Sequence, residues 1–227
     1  MTHDEARRAI YIDFECLTTK PHSTPELLGL LTDADAIEQL LVDPCLAPAC
    51  VANKRCRVAD LASAVEDLVE LAERQDRVIV GWSFFDRDVA TRACPTAAGR
   101  LASRYRNAIP TARRWRQWIH PGFPIVREDA HAAKHTLDQY ARLAQYPHAL
   151  ALATAQPARW IRHTLQQLEA TEGRYRRTTT QTKRDWHKVL EYNRHDCLAL
   201  RHITLKATRE LEAWRANGPP RGSRKRA

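Results

Sequence analysis

The chain has 227 residues, which is enough for one domain with a buried core and too few for two domains of ordinary size. Apolar residues make up 44% of the sequence and charged residues 28%, values that exclude a disordered or collagen-like chain. The formal net charge is +9, and arginine outnumbers lysine about four to one. Because guanidinium groups form bidentate contacts with phosphates, this composition favours a phosphate-bearing partner.

Membrane and secreted classes are not expected. No apolar segment approaches the roughly 18 residues that a membrane span requires, so we predict no membrane partner. Only four apolar residues separate Arg8 from Asp13, which is too short for the core of a secretion signal. The six cysteines are then expected to be reduced thiols. These observations predict a cytoplasmic protein.

The first part of the chain has the pattern of an α/β domain with a mixed central sheet. Predicted strands cover residues 9–16, 27–32, 36–42 and 78–83, and a predicted helix covers 59–74. The second and third strands, joined by a turn at 33–35, complete a three-strand meander. Helix is the alternative for these two strands, because Leu, Glu and Gln favour it. The nearly all-apolar segment 78–83 is typical of a buried parallel strand.

After residue 85 the pattern is mainly helical. Predicted helices cover residues 86–94, 111–119, 136–144, 157–169 and 185–214. A polar, basic connection at 171–184 precedes the last helix. The basic tail at 215–227 is punctuated by Pro and Gly, so we expect it to be disordered. Residues 1–214 are predicted to form one domain, and no second domain is predicted.

Two carboxylates share one face of the first predicted strand. Asp13 and Glu15 are two positions apart, so their Cα atoms lie about 7 Å apart, on the face opposite Ile12 and Phe14. Such carboxylates on an otherwise apolar strand repel each other and lose hydration. A hard divalent cation such as Mg²⁺ or Mn²⁺ relieves both penalties. The alternative is an exposed strand edge on which the two acids have no function.

A tyrosine and an aspartate share one face of the last predicted helix. Tyr192 and Asp196 are four residues apart, which places both beside the apolar stripe of the helix. Asp185 is predicted as the N-cap that fixes the start of this helix. The alternative is a surface tyrosine above a surface aspartate.

A further acid follows the buried strand 78–83. Asp86 lies just beyond the carboxyl end of that strand, where open α/β sheets place their ligands. Asp88 is the rival for this position. Its alternative role is a surface ion pair with Arg87 or Arg92.

The order of these three motifs resembles the DEDD family of 3′–5′ exonucleases, over roughly residues 9–212. The Tyr-x-x-x-Asp spacing resembles its tyrosine subclass, and small bacterial members of the ribonuclease-H-like superfamily carry a similar Tyr-Asn-x-x-Asp helix. The histidine subclass would place His five residues before the last Asp, where this chain has Glu191. The Asn or His that often precedes Phe-Asp in the family is replaced here by Gly81-Trp82-Ser83.

The resemblance implies a ribonuclease-H-like fold and hydrolysis of single-stranded DNA or RNA from the 3′ end. It further implies that Asp13, Glu15, Asp86 and Asp196 hold two Mg²⁺ or Mn²⁺ ions, and that Tyr192 orients the attacking water. Two ions about 4 Å apart support both the entering and the leaving oxygen of a phosphodiester. Two alternatives remain: a non-catalytic nucleic-acid-binding protein of the same fold, and an endonuclease that cuts structured or hybrid nucleic acid.

Two basic segments are candidates for contacting nucleic acid. Residues 100–120 interleave Arg with Tyr and Trp, and this suits a single strand because Arg neutralises phosphates while aromatic rings stack on unpaired bases. The alternative is an ordinary amphipathic helix with Trp in the core. Segment 174–184 is either a substrate clamp or a solvated loop. The candidate ligands in these segments are Arg104, Arg113, Arg114, Arg176 and Arg177.

Three cysteines, Cys45, Cys50 and Cys56, lie close together in the sequence. Their spacing does not match paired Cys-x-x-Cys ligands, so a structural zinc is not expected. The sequence alone leaves open their role and the choice between RNA and DNA.

Overall fold

A six-stranded mixed sheet forms the centre of the molecule. The computed structural model describes residues 1–17, 24–33, 36–53, 56–125, 135–150 and 154–218. The strands are β1 (Ile10–Cys16), β2 (Pro25–Leu31), β3 (Ile37–Leu41), β4 (Arg57–Val58), β5 (Ile79–Gly81) and β6 (Tyr105–Asn107), in the order β4-β3-β2-β1-β5-β6. Strands β1, β2 and β3 are antiparallel neighbours, whereas β5 is parallel to β1 and β6 to β5. This confirms the predicted α/β class, the meander and the mixed sheet.

Helices flank the sheet. They are α1 (His3–Arg8), α2 (Ala47–Asn53), α3 (Leu61–Arg74), α4 (Phe84–Ala93), α5 (Ala98–Arg104), α6 (Ile109–Ile119), α7 (Leu137–Leu143), α8 (Pro157–Ala170) and α9 (Thr180–Asn217). The predicted helices of the second half are present with shifted ends. No helix among the residues described has both the length and the apolar composition that crossing a bilayer demands.

The two faces of the sheet are covered by different helices. Ile12 of β1 packs with Val65 of α3 in one core, which α4 and α5 also cover. On the opposite face, Tyr11 packs with Leu200 of α9. Because successive side chains of a strand alternate between faces, the two predicted acids of β1 share the face of Tyr11 and lie beneath α9.

A glycine allows α9 to lie close to the sheet. Asp13, Gly29 and Gln39 are register partners and form one row across β1, β2 and β3. A Cβ atom at Gly29 would overlap the side chains of Asn193 and Cys197 of α9. The missing side chain of Gly29 therefore sets the distance between α9 and the strand that carries the acids.

The start of α9 differs from the prediction. Thr179 is the N-cap, and its hydroxyl accepts a hydrogen bond from the backbone N–H of Thr182 at 3.1 Å. Asp185 lies inside the helix, where its carboxylate accepts a hydrogen bond from Gln181 and bonds to Nδ1 of His163. The prediction of Asp185 as N-cap is wrong, because Thr179 already caps the free amides and α8 supplies a buried partner for the acid.

The other boundaries differ for local reasons. The predicted strand 78–83 ends at Gly81, because the Ser83 hydroxyl caps α4 by accepting from the N–H of Phe85 at 3.1 Å. The basic segment 100–120 divides into α5, β6 and α6. The connection 171–184 contains a 3₁₀ turn at Tyr175–Arg177 and becomes helical at Thr180.

The C-terminal helix is longer than predicted. It continues to Asn217, three residues into the segment expected to be disordered. Residues 219–227 of that predicted tail, like residues 34–35 of the predicted turn, lie outside the described residues.

Candidate metal centre

Three carboxylates from β1 and α9 meet in the space between these elements. One oxygen each of Asp13, Glu15 and Asp196 lies within 4.8 Å of the other two. We call this group the carboxylate cluster. Glu15 is 5% exposed, and its Oε1 finds no hydrogen-bond partner among the described residues. An unpartnered, buried oxygen among like charges is the arrangement that Mg²⁺ or Mn²⁺ stabilises, so these residues fit a divalent cation.

Burial and mutual repulsion govern the charges of the cluster. Burial raises the pKa of Asp13 to about 6, even though a hydrogen bond from Asn193 opposes the shift. Burial also raises the pKa of Glu15 and of Asp196 well above the usual range, and the neighbouring charge of Asp13 adds to both shifts. A bound cation supplies the positive charge that would hold all three groups ionised at neutral pH.

Asp86 lies beside the cluster. It is in the first turn of α4 and is 5% exposed, and burial raises its pKa to about 8, with the charge of Asp13 as the next cause. Its carboxylate is not part of the group within 4.8 Å. Asp88 is exposed and forms an ion pair with Arg87 at 2.7 Å. The structure thus gives the buried position to Asp86 and leaves Asp88 on the surface.

The glycine before the Phe-Asp motif makes room for Asp86. A Cβ atom at Gly81 would lie 2.9 Å from Oδ2 of Asp86 and would overlap the hydroxyl of Tyr105. That hydroxyl donates a hydrogen bond to the carbonyl of Ser83. The backbone amides of Phe14 and Ser83 lower the pKa of Asp86 and so hold its carboxylate in place. Glycine at this position therefore accommodates the buried acid.

Tyr192 contacts the cluster through its hydroxyl. It donates a hydrogen bond to the carboxylate of Asp196, four residues along α9. Burial raises the pKa of Tyr192, and the charges of Asp196 and Glu15 raise it further. The hydroxyl consequently stays protonated. Its one proton is donated to Asp196, and its oxygen can accept a hydrogen bond from a water molecule and so orient it, but the hydroxyl is a poor acceptor of protons.

The side-chain amides of Gln39 and Asn193 form a chain of hydrogen bonds that ends at Asp13. Nδ2 of Asn193 donates to Oδ2 of Asp13 at 3.0 Å and to its main-chain oxygen at 3.2 Å. Nε2 of Gln39 donates to Oδ1 of Asn193 at 3.0 Å and to the carbonyl of Leu190 at 2.8 Å. Neither amide was predicted from the sequence. The signal for Asn193 was its place directly after Tyr192 in the Tyr-Asn-x-x-Asp helix.

The predicted nucleic-acid ligand Arg104 lies at the opposite edge of the sheet. Residue 104 precedes β6, which runs parallel to β5, whereas Asp86 follows the end of β5. Arg104 forms an ion pair with Asp76 at 2.6 Å. The structure does not bring this arginine to the cluster.

Arg113 and Arg114 lie exposed on α6. The guanidinium of Arg114 stands 5.5 Å from the ring centroid of Trp118, which is 42% exposed and packs on Trp214. Trp115 is fully buried, as the amphipathic-helix alternative expects. This surface is basic and aromatic, and it is formed by α6 and the last turns of α9. Trp214 is eighteen residues beyond Asp196, roughly 27 Å along the helix axis, so the surface lies away from the cluster.

Arg176 and Arg177 are exposed in the 3₁₀ turn before α9. Thr180 and Tyr192 are twelve residues apart on one helix, a distance of roughly 18 Å along its axis. The two arginines therefore lie well away from the cluster.

The three cysteines that are close together in the sequence lie in different surroundings. Cys50 is buried and shares a thiol hydrogen bond with Cys56, whereas Cys45 is exposed. Across the described part of the chain, the carboxylate cluster is the one group of at least three His, Cys, Asp or Glu side chains arranged to hold a metal ion.

Comparison with known proteins gives no match: no protein-family model, curated protein or solved structure corresponds to this chain. The function is therefore inferred from the geometry of the cluster, from its neighbours Asp86 and Tyr192, and from the basic character of the chain.

Proposed function

We propose that this protein is a divalent-metal-dependent nuclease with a ribonuclease-H-like fold, which hydrolyses single-stranded nucleic acid from its 3′ end. The single observation that carries the proposal is the meeting of Asp13, Glu15 and Asp196 within 4.8 Å, with Asp86 buried beside them. The sheet order supports the fold, because an antiparallel meander continues into parallel strands at β1. The 3′–5′ direction and the count of two ions come from the resemblance to DEDD exonucleases.

The ion and the protein have separate tasks in this proposal. Mg²⁺ or Mn²⁺ held by the carboxylate cluster would neutralise charge on the phosphodiester and make a water molecule easier to ionise. The central strand holds Asp13 and Glu15 rigidly, and Asn193 fixes one oxygen of Asp13. The hydroxyl of Tyr192, which donates to Asp196, accepts a hydrogen bond from a water molecule and so orients it. Asp86 is the residue next to the cluster from which a second ion would take its ligand.

The charge of the chain supports a nucleic-acid substrate. The net charge of +9 attracts a polyanion and raises the rate of encounter at low ionic strength. A phosphodiester presents oxygen atoms to an ion held by the carboxylate cluster, and its negative charge attracts arginine side chains.

The test is degradation of 5′-labelled single-stranded DNA and RNA with Mn²⁺ or with EDTA. We expect progressive shortening and release of nucleoside monophosphates with Mn²⁺ only. Asp13→Asn should abolish cleavage and keep the fold. Asp88→Asn, which removes an exposed acid of the same type, should cleave as the wild type does. Equal rates for wild type and Asp13→Asn would overturn the proposal.

Two further outcomes separate the alternatives. Degradation of a circular single strand would identify an endonuclease, because an exonuclease requires an end. Binding that is independent of metal, with no degradation of any substrate, would identify a non-catalytic nucleic-acid-binding protein.

A further inference from the structure

A cavity of about 460 Å³ opens beside the carboxylate cluster. Glu15 of the cluster lies in its wall, next to Phe14 and Phe85 from the sheet side. Arg159 and Arg162 of α8 line the other side. Pockets of this volume accommodate small organic groups, and aromatic walls suit a flat ring. The cavity thus combines apolar walls with two cations next to the candidate metal centre.

A second cavity of about 520 Å³ continues along α8. It shares Arg159 and Arg162 with the first cavity and extends to Trp160 and Lys188. Nζ of Lys188 lies 5.5 Å from the ring centroid of Trp160. The two cavities adjoin at Arg159 and Arg162, and we call them together the α8 groove, with Glu15 at one end and Lys188 at the other.

Positive charge dominates the α8 groove beyond the cluster. Arg159 and Arg162 are exposed on α8, and Lys188, whose Nζ lies 3.9 Å from Oδ1 of Asp185, adds a third cation. Asp185 also lines the groove, but it is 6% exposed, and its oxygens bond to His163 at 2.8 Å and to Gln181 at 2.7 Å. These bonds therefore compensate the charge of Asp185 within the wall of the groove. The groove presents cations to any anion that approaches the cluster.

The first turn of α8 adds to this field. The helix has 14 residues and begins at Pro157, which lines the first cavity together with Ala158. The N-terminus of a helix carries a partial positive charge and favours phosphate groups. Glu15, with its unpartnered oxygen, lies in the wall of the same cavity.

We propose that the α8 groove is the binding site for the single strand on which this nuclease acts. An unpaired base lies against Phe14 and Phe85, while Arg159 and Arg162 neutralise the adjoining phosphates. The strand then continues toward Lys188. This inference rests on the proposed function, and it locates substrate binding on α8 instead of the basic segments at 100–120 and 174–184.

The site fits a single strand better than a duplex. Phe14, which is 6% exposed, and the partly buried Phe85 line the first cavity, and aromatic side chains contact bases only when these are unpaired. Arg159 and Arg162 are three residues apart, so they share one face of α8 and can contact neighbouring phosphates.

The first experiment measures binding without chemistry. Fluorescence anisotropy of a labelled single-stranded decanucleotide is recorded in EDTA for wild type, Arg159→Ala/Arg162→Ala and Arg113→Ala/Arg114→Ala. The last variant is the matched control, because it removes the same charge from an exposed helix. We expect the α8 variant to bind at least tenfold more weakly and the control to bind within about threefold of wild type. The slope of log affinity against log salt should fall by roughly 0.7 for each lost phosphate contact in the α8 variant.

The second experiment separates strand binding from catalysis. Hydrolysis of a small chromogenic ester, the p-nitrophenyl ester of thymidine 5′-monophosphate, requires the metal centre but not the full groove. With Mn²⁺, Arg159→Ala/Arg162→Ala should raise the KM for the decanucleotide at least tenfold more than the KM for this ester. Lys188→Ala should weaken binding of the decanucleotide and leave binding of a dinucleotide unchanged.

The outcomes separate the two proposals. If wild type hydrolyses neither substrate but binds the strand through Arg159 and Arg162, the nuclease proposal fails and the groove stands. If wild type hydrolyses both but the α8 variant binds and cleaves as the control does, the groove is overturned and the nuclease stands. Absence of strand binding by the wild type also overturns the groove.

Discussion

Asn193 of α9 donates a hydrogen bond to Oδ2 of Asp13 on β1 at 3.0 Å, and so connects the long helix to the acid strand. Asn193 is fully buried, and Gln39 fixes the orientation of its amide. One carboxylate oxygen of Asp13 is therefore held before any cation binds. Such supporting hydrogen bonds tune the affinity of metal sites.

Asn193→Ala should weaken Mn²⁺ binding by about 10- to 100-fold, because Asp13 loses the donor that orients it. Isothermal titration calorimetry with Mn²⁺ measures this change. Thr208→Ala is the control, since Thr208 is a buried polar residue of the same helix that hydrogen-bonds within α9 and to His3. Both variants should lose about 1–3 kcal/mol of stability, but only Asn193→Ala should lose metal affinity. Equal Mn²⁺ affinities would show that the amide is merely structural.

Tyr192→Phe should reduce kcat by about 10- to 100-fold, a smaller loss than that caused by Asp13→Asn. In the proposed function the hydroxyl orients a water molecule, whereas Asp13 would hold the ion. The measurement is single-turnover cleavage of a single strand across a pH series. If Tyr192 acts only as a protonated hydroxyl that orients water, the variant should keep the shape of the wild-type pH profile. A changed profile, or a loss as large as that of Asp13→Asn, contradicts the orienting role.

Gly29→Ala should cost about 1–3 kcal/mol in the free energy of unfolding, because the added methyl overlaps Asn193 and Cys197 and pushes α9 from the sheet. Cleavage should fall as well, since α9 carries Asp196. Chemical denaturation measures the first effect. Gly99→Ala is the matched control: a Cβ at Gly99 meets no atom within 4 Å, and this change should stabilise α5 by about 0.5 kcal/mol. An unchanged free energy of unfolding in Gly29→Ala would mean that α9 can move away from the sheet at no cost.

The metal-free protein should lose stability as the pH rises from about 4 to 8. Asp13 and Asp86 have pKa values of about 6 and about 8 in the folded chain, above their ordinary range, so the folded state binds more protons than the unfolded state in this window. Glu26, with a pKa raised by burial to about 7, contributes in the same direction. Thermal unfolding in EDTA at about pH 5 and pH 8 tests this, and Mn²⁺ should restore most of the loss at the higher pH.

Asp86→Asn supplies the control for this pH dependence. It removes the acid whose pKa is raised by burial to about 8. In EDTA the Tm of this variant should therefore exceed that of the wild type at about pH 8 and match it near pH 4. A wild-type Tm that rises between these pH values in EDTA, or an Asp86→Asn curve parallel to that of the wild type, contradicts the charge repulsion inferred for the site.

The residues of the cluster were predictable because local periodicity determines them. The two-residue spacing of Asp13 and Glu15 gives a common face on any strand, and the four-residue spacing of Tyr192 and Asp196 gives a common face on any helix. The sequence left Asp86 and Asp88 as rivals. Only the packing of α4 on the sheet distinguishes the buried acid from the exposed one.

The supporting residues were not predictable from local patterns. Gln39 and Asn193 are 154 positions apart, and they meet only through the register of the meander and the close approach of α9. Arg159 and Arg162 have the pattern of an ordinary helix surface, because nothing in α8 itself indicates that its first turns face the cluster. Arg104 illustrates the converse, since a basic, aromatic segment can lie at the opposite edge of the sheet from the acids.

The alternation of β1 has a consequence for insertions and deletions. Loss or gain of one residue early in this strand would exchange its two faces: Asp13 and Glu15 would turn into the apolar layer that contains Val65, and Ile12 and Phe14 would turn toward α9. Single substitutions do not change which positions of β1 face α9. Chains of this architecture should therefore tolerate varied side chains around the site far more readily than any change in the length of the segment between Ala9 and Glu15.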